Sequence, residues 1–305
     1  MYLVTGGLGF IGNELVRQLQ RQGESVVVLD NRRRMAPDIG DLAGVRVVDI
    51  DLTQTADVFA AVASLKPKVV IHLAAIHFIP ECNGQPELTL RVNVEATLGL
   101  MRACVEARVE HFLLASSGAI YGDSPEPLSE DSPVAPVDIY GWSKLHAENL
   151  ARWQAEQYGL RVTACRLFNN YGPRETNAHI IPEILQQLKL GDVLHLGNVK
   201  PQRDYIHTAD TAKALRLLAQ APPDKFQVFN IASGHHASVE ELVALMAELL
   251  GRPLRIETDR SRFRKADKLV QVAAIERLAA RLNWKPEIGL RDGLGQLLRY
   301  EKLLA

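Results

Sequence analysis

The pattern that most restricts the fold is an alternation of short, almost wholly apolar runs rich in β-branched residues with longer stretches of helical period. The runs are YLVT (2–5), SVVVLD (25–30), VRVVDIDL (45–52), KVVIHLAA (68–75), HFLLASS (111–117) and RVTACRLFN (161–169). Strands that are apolar at nearly every position, rather than every second one, are covered on both faces. Between them, Ile11, Leu15 and Leu19 line one face of a first helix that stops at Gly23, and Leu90, Val94, Leu98 and Met101 line another. Alternating βαβα with doubly covered strands predicts an α/β chain with a doubly wound parallel sheet.

After about Gly172 the rhythm becomes less regular, with prolines at 173, 182, 201, 222 and 223. SVEELVALMAELLG (238–251) reads as a helix with Ser238 and Glu241 spaced as a capping box and Gly251 at its stop. The expected organisation is a sheet domain over 1–172 and a smaller substrate-binding domain over 173–305, with the stretch around 207–232 returning to the main sheet. A chain of 305 residues that is 47% hydrophobic and 23% charged can bury such a core. Its formal net charge of -1 supplies no field for nucleic acid or an acidic membrane, so neither is expected as a partner. Three unevenly spaced cysteines without a CxxC pair, no long apolar run and no signal-peptide start predict a cytoplasmic protein with buried thiols and no metal centre.

In TGGLGFIG, Gly6, Gly9 and Gly12 fall between the first strand and the first helix. There a dinucleotide pyrophosphate would meet backbone N–H groups at a helix N-terminus, which predicts a Rossmann-type site. The spacing is GxxGxxG rather than GxGxxG, and tight turns also collect glycine. Asp30 ends the second strand, where a carboxylate accepts from ribose hydroxyls and repels a 2′-phosphate, so NAD is favoured over NADP. Arg32, Arg33 and Arg34 follow, either as an exposed basic loop or as a phosphate receptor. Asp51 either reaches the adenine or caps the next turn. Further on, Ser117 ends a strand and YGWSK places Tyr140 and Lys144 four apart, on one helical face. An ammonium so placed can lower the phenol's pKa and hold a ribose hydroxyl, making the tyrosine a base.

With these residues in order, the chain resembles the extended short-chain dehydrogenase/reductases of the NAD-dependent sugar epimerase/dehydratase family. The resemblance runs through TGGLGFIG, HLAA (72–75), VNVEAT (92–97), SSGAIYG (116–122), YGWSK, RLFNNYGPR (166–174), RDYIH (203–207) and LNWKP (282–286). It implies Tyr140 as catalytic base, Lys144 as its partner on the nicotinamide ribose and Ser117 as donor to the reacting sugar oxygen. The implied NAD contacts are Gly6, Gly9, Phe10, Ile11, Gly12, Asp30, Asn31, Asp51, Leu52, Leu73, Ala74, Ala75, Asn93, Tyr140, Lys144 and Phe168, with Asn93 supporting the active-site helix. The implied substrate is a nucleotide-diphosphate sugar, expected to be UDP-linked. Asn169, Arg203 and Arg264 would hold its diphosphate, with two arginines converging on one pyrophosphate. His179, Leu194 and His195 would line the nucleotide pocket. His77, Ser117 and Gly118 lie on the sugar side, His77 either as a buried backbone-bonded histidine or as a contact to the sugar. Gln271 matches a position that limits bulk at the sugar C2. Dehydrating and decarboxylating members carry an acid just after the catalytic Ser or Thr; this chain has Gly118 and Ala119, so the expected reaction is 4-epimerisation through a transient 4-ketone. A reductase with net redox and a non-catalytic cofactor sensor are the alternatives. The helices around 88–107 and 141–157 are expected to form a homodimer interface, as in relatives.

Overall fold

The structure, a computed structural model, describes residues 1–36, 42, 44–175, 177–263 and 268–304. The elements run β1 (Tyr2–Thr5), α1 (Phe10–Arg21), β2 (Val26–Asp30), β3 (Arg46–Asp49), α2 (Thr55–Leu65), β4 (Val69–His72), α3 (Ile79–Gly84), α4 (Pro86–Leu90), α5 (Ala96–Glu106), β5 (His111–Ser117) and α6 (Ile139–Tyr158). They continue with β6 (Val162–Leu167), β7 (Asn169–Tyr171), α7 (Ile180–Leu188), β8 (Val193–Leu196), β9 (Gln202–His207), α8 (Thr208–Gln220), β10 (Phe226–Ile231), β11 (His236–Ser238), α9 (Val239–Leu250), β12 (Arg255–Thr258), β13 (Val270–Gln271), α10 (Glu276–Leu282) and α11 (Leu290–Tyr300).

Seven parallel strands form the main sheet in the order β10-β6-β5-β4-β1-β2-β3. The apolar runs become strands because both faces are covered. On one face Leu15 and Leu19 of α1 and Leu215 and Leu218 of α8 pack with Leu278 and Trp284; on the other, α2, α5 and α6 bury Val58, Val62, Leu100, Met101 and Ala151. β3 is the exception: it lies at the sheet edge, and Arg46 and Asp49 at its two ends are exposed. A smaller sheet, β11-β9-β13 with β7 added on β9, and a β8–β12 pair carry a second core with α7, α9 and α11. The chain therefore leaves the main sheet after Leu167, and Asn169 already belongs to the smaller one. α9 carries both halves of its capping box, and Gly251 closes it at φ 64°.

Leu90, Val94, Leu98 and Met101 do not share one inward face as the periodicity predicts. A π-helical turn over Arg91–Glu95 separates α4 from α5, and its wider turn rotates the following residues. Asn93, Ala96, Thr97, Leu100 and Met101 are the buried ones.

Candidate active site

The chain runs outward from β1 to β2 and β3, then returns to place β4 on the other side of β1. At that reversal the carboxyl ends of the strands open into a cavity of about 670 Å³, the place where doubly wound sheets receive ligands. The first loop brings Gly6, Gly9, Phe10, Ile11 and Gly12 to it; the ends of β2 and β3 bring Asp30, Asn31, Asp51 and Leu52; the end of β4 brings Leu73, Ala74, Ala75 and His77. Ser117, Gly118, Tyr140, Lys144, Phe168, Asn169, His179, Arg203 and Gln271 line the remainder. Asn93 and Leu194 do not line it, and Arg264 lies outside the described residues. Leu194 is fully buried in the second core. Leu196, two residues further along the same buried face of β8, reaches the cavity wall instead, while His195 between them turns toward solvent.

The residues of the first loop fit a dinucleotide. Gly6 has φ 68°, and a Cβ there would sit 2.8 Å from Ala74 N; a Cβ on Gly12 would run into Gly6 O. Gly9, the N-cap of α1, has no side chain to bond the first-turn N–H groups, so a phosphate can take that place. Asp30 Oδ2 accepts from Leu8 N at 3.1 Å and Oδ1 from Arg32 N at 2.8 Å, leaving lone pairs for ribose hydroxyls. Burial raises its pKa against those two bonds. The basic run is already paired: Arg32 with Asp49, Arg33 with Asp51 at 3.1 Å, and Arg34 with Glu81. Asp51 also caps its own turn, accepting from Thr53 N and Oγ1. Asp30 at the end of β2, with a lone-pair face toward the cavity, is in keeping with NAD.

Helix α6 approaches closely because residue 141 is glycine. A Cβ there would stand 2.8 Å from Ala119 O, so α6 packs its first turn on the turn after Ser117. Asp138 caps that helix through Gly141 N at 2.8 Å. Tyr140 is half-buried and hydrogen-bonded with Ser117; burial pushes its pKa up to about 12, against the Ser117 bond. Lys144 donates from Nζ to Ala115 O at 2.9 Å, with Nζ 5.8 Å from the Tyr140 ring centre, and burial pulls its pKa down to about 8. The expected lowering of the phenol by the ammonium is not seen in the protein by itself: burial raises the phenol, Asp138 adds to the rise, and only the Ser117 bond opposes it.

Several motifs meet behind this pair as a bonded frame. His72 joins Thr5 (2.6 Å) to Thr97 (2.8 Å), linking three separate sequence stretches. Asn93 brackets Ile76, accepting from its N at 2.9 Å and donating to its O at 2.8 Å, and reaches Ser143 Oγ on α6 at 3.0 Å. Its position is therefore that of a brace under the site. Arg166 pairs with Glu148 and donates to Tyr121 Oη at 2.7 Å, in a buried network under β5. Gln271 donates to Gly118 O at 2.6 Å, and the Phe168 ring lies so close on Gly118 that a Cβ there would be 3.1 Å from it.

His77 belongs to a strap across the cleft that sequence pattern gave no sign of. Asn177 Nδ2 donates to His77 Nε2 at 2.9 Å while its Oδ1 accepts from Arg34 Nη1 at 2.9 Å. Burial pushes His77 down to about 4, so it is a neutral acceptor here. His179 stacks edge-on to it at 5.8 Å and lies 3.5 Å from Glu175. Lys268, also missed, enters the wall near Ala119. It lies in no periodic element, so only the three-dimensional placement reveals it.

The family model for the NAD dependent epimerase/dehydratase family matches residues 2–232. The UDP-glucose 4-epimerase of Halalkalibacterium halodurans is 31% identical over 307 residues, covering 93% of this chain and 90% of that protein. The GDP-6-deoxy-D-mannose reductase of Pseudomonas aeruginosa is 33% identical over 244 residues, 76% of this chain and 79% of that one. The solved Thermus thermophilus UDP-glucose 4-epimerase in complex with NAD superposes with a TM-score of 0.90 at 28% identity, covering 99% of this chain and 98% of that one. The chain belongs to the NAD-dependent epimerase/dehydratase family, as an NAD-dependent enzyme of sugar nucleotides.

Proposed function

We propose that the protein inverts C4 of a UDP-linked sugar through a transient 4-ketone. The observation that carries this is the turn after Ser117: Gly118 and Ala119 bring no carboxylate beside Tyr140 and Ser117. Removal of the C5 proton next to the ketone, which dehydration needs, lacks an agent there. Asp138, the nearby carboxylate, is engaged as the N-cap of α6.

Tyr140 and Lys144 would hold the nicotinamide end of NAD, which would supply the acceptor for the C4 hydrogen and a positive charge that favours the phenolate. Tyr140 takes the 4-hydroxyl proton and gives it back after inversion. Ser117 donates to the same oxygen, and Lys144, held by Ala115 O, fixes the orientation of the pair. Asn169 and Arg203 hold the diphosphate. The sugar, anchored only through its nucleotide, can then present either face.

The test is isotopic. Product formed in D₂O is expected to hold no carbon-bound deuterium, and substrate deuterated at C4 to keep its label with no added reductant. Solvent deuterium at C5 would mean enolisation and defeat the epimerase reading. The second reading, net redox, is favoured by the 33% identity to the Pseudomonas aeruginosa reductase; it predicts consumption of added NADH with a 4-keto sugar nucleotide or, in the reverse direction from a 4-hydroxy sugar, transfer of the C4 label to free NADH.

Two further proposals accompany the activity. The protein pairs as a homodimer through α5 and α6, where Trp142, Trp153 and Tyr158 expose 44%, 42% and 55% of their surface on one helix. It works in a reducing compartment such as the cytoplasm, in keeping with three free, buried cysteines; no helix among the described residues is long and apolar enough to cross a membrane.

A further inference from the structure

Lys268 is a charged group in the cavity wall that the proposed reaction leaves unused. It lies just before β13 and reaches over to the turn after Ser117. There its ammonium donates to Ala119 O at 3.2 Å and to Tyr121 O. Its own carbonyl faces the other way and accepts from Arg203 Nη1 at 2.8 Å. The arginine is therefore on the backbone side of residue 268, and the ammonium on the side of Ser117.

An ammonium has three N–H donors, and two of these are spent on carbonyls, so one remains for a ligand. Among the described residues no carboxylate stands within ion-pair distance of it. Asp138 and Asp123 act on it only from further away, and both are committed. Asp138 caps α6, and Asp123 Oδ1 accepts from Leu269 N at 3.1 Å and Val270 N at 3.3 Å. Arg203 adds like charge. A half-buried cation among carbonyl dipoles is incompletely compensated, and an anion brought beside it recovers part of the lost solvation.

The turn it holds fixes what that anion can be. Residues Gly118 to Tyr121 are gripped by Gln271 on one side and Lys268 on the other, directly after the serine that bonds Tyr140. The ammonium bonds the backbone of Ala119, two residues past Ser117, whereas Arg203, assigned to the diphosphate, bonds the carbonyl of residue 268; a sugar with its C4 oxygen on Ser117 and Tyr140 would then turn its ring substituents toward the ammonium. We propose that Lys268 is a specificity-determining residue that receives a carboxylate on the sugar, so that nucleotide uronates are preferred to neutral hexoses. This rests on the nucleotide-sugar reading of the site but not on which reaction follows. A charge-assisted bond in place of a neutral one is worth about tenfold to a hundredfold in affinity.

The experiment is calorimetric binding of UDP, UDP-glucose and UDP-glucuronate to the NAD-loaded protein in a Tyr140→Phe background, so that nothing turns over. With Lys268 intact, UDP-glucuronate is expected to bind at least about tenfold tighter than UDP-glucose. Adding Lys268→Met should abolish that preference while leaving UDP and UDP-glucose within about twofold, and Lys268→Arg should keep most of it. Equal binding of the two sugars with Lys268 intact overturns the proposal. So does a Lys268→Met effect as large on UDP as on UDP-glucuronate, which would put the ammonium on the diphosphate. Failure of the C4-label test in the unsubstituted enzyme would sink the epimerase reading without touching these affinities.

Discussion

Lys144 is 5% exposed and rests its ammonium on one backbone carbonyl, so the folded state keeps a charge in a place that disfavours it. Burial lowers its pKa from 10.5 to about 8. A base whose folded pKa is depressed costs stability fully below the folded pKa, and the cost fades as pH rises toward the unfolded value. The window here is therefore about pH 8 to 10.5. The shift corresponds to a cost on the order of 3 kcal/mol at neutral pH, partly offset by the hydrogen bond to Ala115 O, worth about 1 kcal/mol. Lys144→Met should thus unfold at higher denaturant than the unsubstituted protein at pH 7, by about 2 kcal/mol, yet lose at least about a hundredfold in turnover. Guanidinium unfolding at about pH 7 and about pH 10 checks it: the advantage should shrink or reverse at the higher value. A gain of equal size at both values would mean the ammonium is not the source.

β9 carries the side chains that join the smaller sheet to the main one. Asp204 is fully buried and accepts from Ser233 N (2.7 Å), Ser233 Oγ (2.6 Å), Gly234 N (2.9 Å) and Ala273 N (3.3 Å). These donors lie after β10 of the main sheet and just past β13, so one carboxylate ties three segments around Arg203. Burial raises its pKa, and the four bonds oppose the rise. Asp204→Ala leaves those buried donors without a partner and should cost about 2–5 kcal/mol. Because the freed strand carries Arg203 while the glycine loop lies elsewhere, UDP affinity should fall more than NAD affinity. Unfolding curves and separate titrations of the two nucleotides measure this; equal losses for both would mean the effect is global.

For the whole molecule, the exposed face of α6 is the feature that a single chain does not explain. Trp142 stacks on His146 at 5.8 Å, and Trp153 meets Tyr158 edge-on at 5.3 Å, so the aromatics are ordered against each other while open to solvent. Pairing two copies through this face would bury them. Trp153→Glu should shift the protein to monomer at micromolar concentration while leaving NAD bound, since Trp153 lies outside the cavity lining. Sedimentation velocity decides it, and a monomeric unsubstituted protein would remove the dimer from the picture.

What the sequence determined by itself is whatever depends on local periodicity and short spacing. Doubly apolar runs name the parallel strands because a strand covered on both faces has no polar side to show. The Ser238–Glu241 box names the start of α9, and the Gly6, Gly9 and Gly12 spacing names a loop where no Cβ fits at either end. Such features need no knowledge of distant residues. Tertiary structure alone decided the rest. The inward face of α5 turned because a π turn intervenes, and a π turn has no pattern of its own. Leu194 and Leu196 share the buried face of β8, and only the position of the cavity along the strand makes Leu196 take the place expected of Leu194. The Tyr140 pKa follows burial, which a spacing of four residues cannot express. The strap through Arg34, Asn177 and His77 and the reach of Lys268 to Ala119 join residues 100 or more positions apart. Only the closed fold brings them within a hydrogen bond, because side-chain chemistry at a site depends on distance in space and sequence pattern records distance along the chain.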